Sequence, residues 1–161
     1  MNRAALRKVI ARDLRGCFEI PNSINPSDAD VAWFAANGKT WTQPREHERF
    51  RRGQLGECWA NAYRASRRDP SLRYVQGLVQ PAHHDLLVPH AWCVTDADAL
   101  YELTWDVSAA TGAEVYYGVV FSFEDLMELQ NATGDMRWYD GFADILQARD
   151  LREATAKAKS K

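Results

Sequence analysis

Cysteine is scarce in this chain: three in 161 residues, at positions 17, 58 and 93. An odd, scattered set does not make a disulfide framework and fits a reducing compartment, so a cytoplasmic location is expected. Long apolar runs are missing too. No stretch reaches the roughly 18 residues of a membrane span, so no membrane association is expected, and Met1 to Ile10 mixes charged and apolar residues where a signal peptide has an unbroken apolar core. Charge of one sign is absent: 20 basic and 22 acidic residues leave a net charge of −2, which gives no general case for nucleic acid. There is no internal repeat and no CxxC or HExxH spacing. His83, His84, His90 and Cys93 lie close in sequence, but His90 and Cys93, three apart on an expected strand, face opposite sides. No metal and no cofactor is expected.

What remains is an ordinary globular mixture, 46% hydrophobic and 26% charged, of a length that suits one domain over residues 1–155 followed by a disordered tail, 156–161. Leu6, Val9, Ile10 and Leu14 recur at helical spacing and predict a helix over 3–15, ended by Gly16. After the loop 21–26, Ser27 or Asp28 can cap a short helix carrying Val31, Trp33 and Phe34 and stopping at Asn37-Gly38. Residues 39–53 are polar, rich in arginine and without a clear period.

Residues 58–68 read as a helix closed before Asp69-Pro70, with Ala62, Ala65 and Ser66 small enough for close packing on a sheet. The period then changes to two, predicting strands over 73–80, 90–95, 100–106 and 114–121. Ser122 caps a helix through Asn131, and a last helix covers 142–156. The expected fold class is α+β: a central helix on a mainly antiparallel sheet, with flanking N- and C-terminal helices.

Three residues in this order carry chemistry. Cys58 opens the central helix, where the positive end of the helix dipole favours a thiolate. His90 lies at the start of a strand, and Glu102, Thr104 and Asp106 share one face of the next. A hairpin turning at Asp98 with a short odd loop sets His90 opposite Asp106, giving an expected catalytic set of Cys58, His90 and Asp106. A slip of one residue would put the two on opposite faces. Backbone N–H groups at Cys58, with the Gln54 side chain, would bind an oxyanion. Trp59, Trp92 and Trp105 are candidate walls of the site, and of Tyr116 and Tyr117 we take Tyr117 as the substrate-side residue.

Gln54-Leu55-Gly56-Glu57-Cys58-Trp59-Ala60 resembles the segment around the catalytic cysteine of papain-like peptidases, where a glutamine and a glycine precede Cys-Trp-Ala. His90-Ala91 opens a strand as the catalytic histidine does there, and the third member follows a hairpin. The resemblance covers about residues 53–106. Aspartate as third member, the shorter chain and the closer glutamine point to the wider transglutaminase-like and arylamine acyltransferase-like branches, and imply a papain-like (transglutaminase-like) core. The expected activity is cysteine-dependent hydrolysis of an amide, ester or thioester in a peptide or other acyl substrate. Acyl transfer on the same triad is the alternative.

A third reading, a non-catalytic binding or inhibitor module, rests on the eight arginines between Arg45 and Arg73, which face four acids in that stretch. Arg51, Arg52 and Arg67 are the expected contacts for an anionic ligand.

Overall fold

The computed structural model describes residues 27–81, 87–107, 113–133 and seven positions between 146 and 157. The helix expected over 3–15, Cys17, the loop 21–26, His83, His84 and positions 158–161 lie outside the described residues.

Helix α1, Asp28–Asn37, is started by a reciprocal cap. Asp30 N–H donates to Ser27 Oγ at 3.2 Å while Ser27 N–H donates to Asp30 Oδ2 at 2.9 Å, which satisfies two donors that a helix start leaves open. The helix buries Val31 and Phe34 and ends where Gly38 N–H bonds Phe34 O. Strand β1, Lys39–Trp41, follows within the stretch that showed no clear period.

Helix α2, Cys58–Arg68, has the expected bounds. Its inner side carries Ala62 and Ala65, and these small residues let it approach β3 closely enough for Cys93 Sγ to donate to Ala62 O at 3.3 Å. Cys93 is thus a core thiol; burial pushes its pKa up.

Strands β2 (Arg73–Pro81), β3 (Val88–Val94), β4 (Leu100–Tyr101) and β5 (Ala113–Phe121) join β1 in one sheet of order β1-β5-β2-β3-β4, with every pairing antiparallel. Side chains alternate between two cores as period two requires. Tyr74, Leu78, Ala91, Cys93, Tyr117 and Phe121 meet α1 and α2, while Val75, Val79, Trp92, Val94, Leu100 and Tyr116 form the second cluster.

Helix α3, Phe123–Thr133, begins with Ser122 Oγ accepting from Asp125 N–H at 3.1 Å. The described positions 146, 149, 150, 153, 154, 156 and 157 are helical. Leu146 there is buried in the first core, and Arg149 pairs with Asp30 and lies over the Trp33 ring. Among the described residues no helix is long and apolar enough to cross a membrane. The architecture is α+β with an antiparallel sheet.

The expected strand over 100–106 is only two residues long. Val94 pairs with Leu100 and Cys93 with Tyr101, two residues away from the expected register, because the hairpin loop spans 95–99 with Asp98 at φ 58°. Beyond Tyr101 the chain leaves the ladder. The connection from β1 to α2 holds it from outside: Arg45 N–H bonds Leu100 O, Glu102 N–H bonds Arg45 O, and Gly53 N–H bonds Leu103 O.

Candidate active site

The site is built where the start of α2, strand β3 and the segment after β4 meet. Gly56, two residues ahead of Cys58, has φ 84°, a left-handed conformation that a side chain resists, and this bend admits the chain to the helix. Cys58 is the first residue of α2 and only 5% exposed. The N-cap Glu57 makes no side-chain cap. The N–H groups of Cys58, Trp59 and Ala60 therefore have no acceptor within the helix or from its cap residue.

The imidazole of His90, 1% exposed, stands between the Cys58 side chain and a buried carboxylate. That carboxylate is Glu102. His90 Nε2 lies 2.9 Å from Glu102 Oε2, with both side chains inaccessible to solvent. Glu102 is held on every side: Tyr116 OH donates to Oε2 at 2.8 Å, and the N–H groups of Thr104 and Trp105 donate to Oε1 at 2.8 and 3.1 Å.

The electrostatics follow from this arrangement. Burial raises the Glu102 pKa, but the His90 charge and the hydrogen bonds from His90, Trp105 and Thr104 outweigh it and leave the carboxyl below its usual value. An ionised carboxylate only accepts, so Nε2 carries the proton and Nδ1 is left for the thiol. Burial likewise lowers the His90 pKa, yet the Glu102 charge and the hydrogen bonds to Cys58 and Glu102 prevail and raise it to about 9. The position between sulfur and carboxylate favours the protonated ring. The Trp105 indole stacks on it at 4.2 Å and 23°, which sets the plane of the ring.

The structure thus brings Cys58 and His90 together and sets Glu102, and not Asp106, against the imidazole. The carboxyl of Asp106 is 41% exposed and bonded to Arg52 at 2.8 Å. The shifted register takes Asp106 away from His90, and because the chain leaves the ladder after Tyr101 it is the Glu102 side chain that reaches the imidazole. Replacing Asp106 by asparagine should therefore cost under about 1 kcal/mol in urea denaturation, as for other exposed pairs, and leave the His90 NMR titration in place.

Tyr117 also belongs elsewhere. Its hydroxyl donates to Phe34 O and Ala35 O and its ring packs on Phe34, so it ties β5 to α1, while its neighbour Tyr116 faces the site. Of the tryptophans, Trp92 is fully buried and stacked near His90, and Trp59 packs against the first core. Gln54 is exposed; its backbone oxygen accepts from Asn61 Nδ2 at 3.0 Å. Asn61 Nδ2 also bonds Thr104 Oγ1 at 3.0 Å, joining α2 to the segment that carries Glu102.

An open cavity of about 1350 Å³ adjoins these residues, lined by Glu102, Thr104 and Trp105 together with Phe50, Arg51 and Leu55. Arg52 and Asp106 also line it, and so does His47, whose ring lies against Phe50 and Tyr101. Arg67 stands apart, over the ring of Tyr63. Gly53 sits at the rim, where a Cβ would fall 2.0 Å from Asn61 Oδ1. Gly53→Ala should push the loop off Asn61 and Leu103 and destabilise the fold by about 1–3 kcal/mol, read by urea denaturation. Among the described residues, no group of three or more His, Cys, Asp and Glu is arranged to hold a metal ion.

No family model, curated protein or solved structure matches the chain.

Proposed function

We propose that this protein is a cysteine-nucleophile enzyme of acyl transfer, a hydrolase of an amide, ester or thioester first and an acyltransferase on the same residues second. One observation carries the reading: a fully buried imidazole between the Cys58 side chain and a carboxylate whose two oxygens accept four hydrogen bonds. A buried charged pair costs several kcal/mol in desolvation, and a well-packed apolar pair would be no less stable. The order of elements adds support, with cysteine opening a helix, histidine on the strand packed beneath it and the carboxylate after the next hairpin. On this reading the core is papain-like or transglutaminase-like, with glutamate as third member.

In the chemistry, Cys58 sulfur as thiolate attacks the carbonyl carbon, forming the C–S bond while the carbonyl electron pair moves to oxygen. The open N–H groups at the start of α2 face that developing charge. When the intermediate collapses, the bond to the leaving group breaks and His90 delivers its Nδ1 proton to that group. Water, giving a proton back to His90, then attacks the thioester; the C–S bond breaks, the acid departs and the thiolate–imidazolium pair is restored. Glu102 keeps the ring oriented and charged, and Tyr116 and Trp105 keep Glu102 and the ring in place.

Iodoacetamide tests the nucleophile. Cys58 should be alkylated far faster than the core thiol Cys93 at neutral pH, with a rate that changes as His90 loses its proton near pH 9. Equal, slow labelling of both thiols would remove the basis of the proposal.

A further inference from the structure

The arginines between Arg45 and Arg73 are not used by the chemistry above, and the structure sorts them. Arg49 is held by Asp69 and Arg52 by Asp106 and Glu46. Arg51, Arg67 and Arg68 are exposed and have no carboxylate partner among the described residues, while Arg64 donates to Asn61 Oδ1 at 2.7 Å and lies 3.8 Å from Glu57. Arg64, Arg67 and Arg68 stand three and four residues apart on α2, so they share one face of the helix.

Three depressions connect this face to the site. Arg51 lines both the large cavity and a smaller one of about 100 Å³, which also contains Arg64 and Arg68. Arg64, Arg68 and Arg67 in turn line a third, of about 500 Å³, along the outside of α2. Through these shared arginines a basic path leads from the large cavity to the end of the helix.

We infer that this path docks an acidic peptide segment flanking the acyl group to be transferred. Guanidinium groups pair with carboxylates in two-point geometry, which suits aspartate and glutamate side chains at residue spacing. The cavity end favours a peptide over a nucleic acid: it adjoins the residues of the proposed acyl chemistry and its lining includes the apolar Phe50 and Leu55, while Glu46 and Glu102 there are already paired with Arg52 and His90. The inference rests on the proposed acyl chemistry only for the link to the site; docking itself is measured separately.

The experiment is fluorescence anisotropy of a fluorescein-labelled deca-glutamate peptide with the Cys58→Ala protein, compared with a labelled ten-nucleotide oligothymidine. Binding to the peptide should weaken as salt rises. Arg68→Glu and Arg51→Glu should each weaken it about fivefold or more. Lys39→Glu makes the same change in net charge away from the path and should alter binding less than twofold. Equal effects of Arg68→Glu and Lys39→Glu, tighter binding of the oligonucleotide, or no peptide binding would each overturn the inference. If Cys58 of the wild-type protein is still acylated in that event, the catalytic reading stands and only the docking surface falls.

Discussion

Glu102→Gln should destabilise the protein by about 3–5 kcal/mol near pH 6, the range for breaking one side of a buried ion pair. The amide keeps the shape of the side chain but removes the charge that holds His90 protonated, and one of its ends presents N–H groups where the carboxylate accepted. The pH dependence makes the test specific. His90 has a folded pKa of about 9 against an ordinary 6.5, so its contribution is complete below pH 6.5 and is lost as the pH rises through 9. Glu102 is held below its ordinary 4.5, so its contribution is present above that pH and is lost as the pH falls through the depressed folded value. Urea midpoints of the wild type should peak between pH 4.5 and 6.5 and decline toward pH 9, by on the order of 3 kcal/mol. In Glu102→Gln the decline from 6.5 to 9 should disappear. Asp106→Asn, by contrast, should keep the wild-type profile.

His90→Gln carries the largest expected effect on chemistry. Without the imidazole the thiol loses both the charge that favours thiolate and the group that returns a proton to the leaving atom. Acylation of Cys58 by an activated ester should slow by about 10²–10⁴-fold, the usual contribution of a positioned acid–base group. Tyr116→Phe should slow it far less, because the hydroxyl only helps to hold Glu102, whose other three hydrogen bonds remain. Rates from intact-protein mass spectrometry separate the three proteins.

Much of the fold can be read from local chemistry. The bounds of α2 follow from its start after Gly56 and its stop before Pro70, and α1 begins at a cap that Ser27 and Asp30 make visible. Alternation placed Glu102, Thr104 and Asp106 on the face of His90. Choosing among them required both the hairpin register, which depends on the five-residue loop 95–99, and the point at which the chain leaves the ladder, after Tyr101. The early end of β4 has a further cause that alternation does not show. The Glu102 carboxylate takes the N–H groups of Thr104 and Trp105, the second of which a continued strand would direct toward β3, so the residue beside the histidine also turns the chain out of the sheet. Tyr116 and Tyr117 exchanged their expected sides for a similar reason: period two says that one faces each core, and only the packing of α1 on Tyr117 says which.

The central claim is that Cys58 is a nucleophile activated by His90 on Glu102. Its most direct measurement is time-resolved mass spectrometry of the native protein mixed with p-nitrophenyl acetate, with peptide mapping of the adduct. The account predicts an acetyl group that appears on Cys58, turns over, and is nearly absent from His90→Gln, while Cys93 stays unmodified. Acetylation of Cys58 at the same rate with and without His90, or none at all, would contradict it.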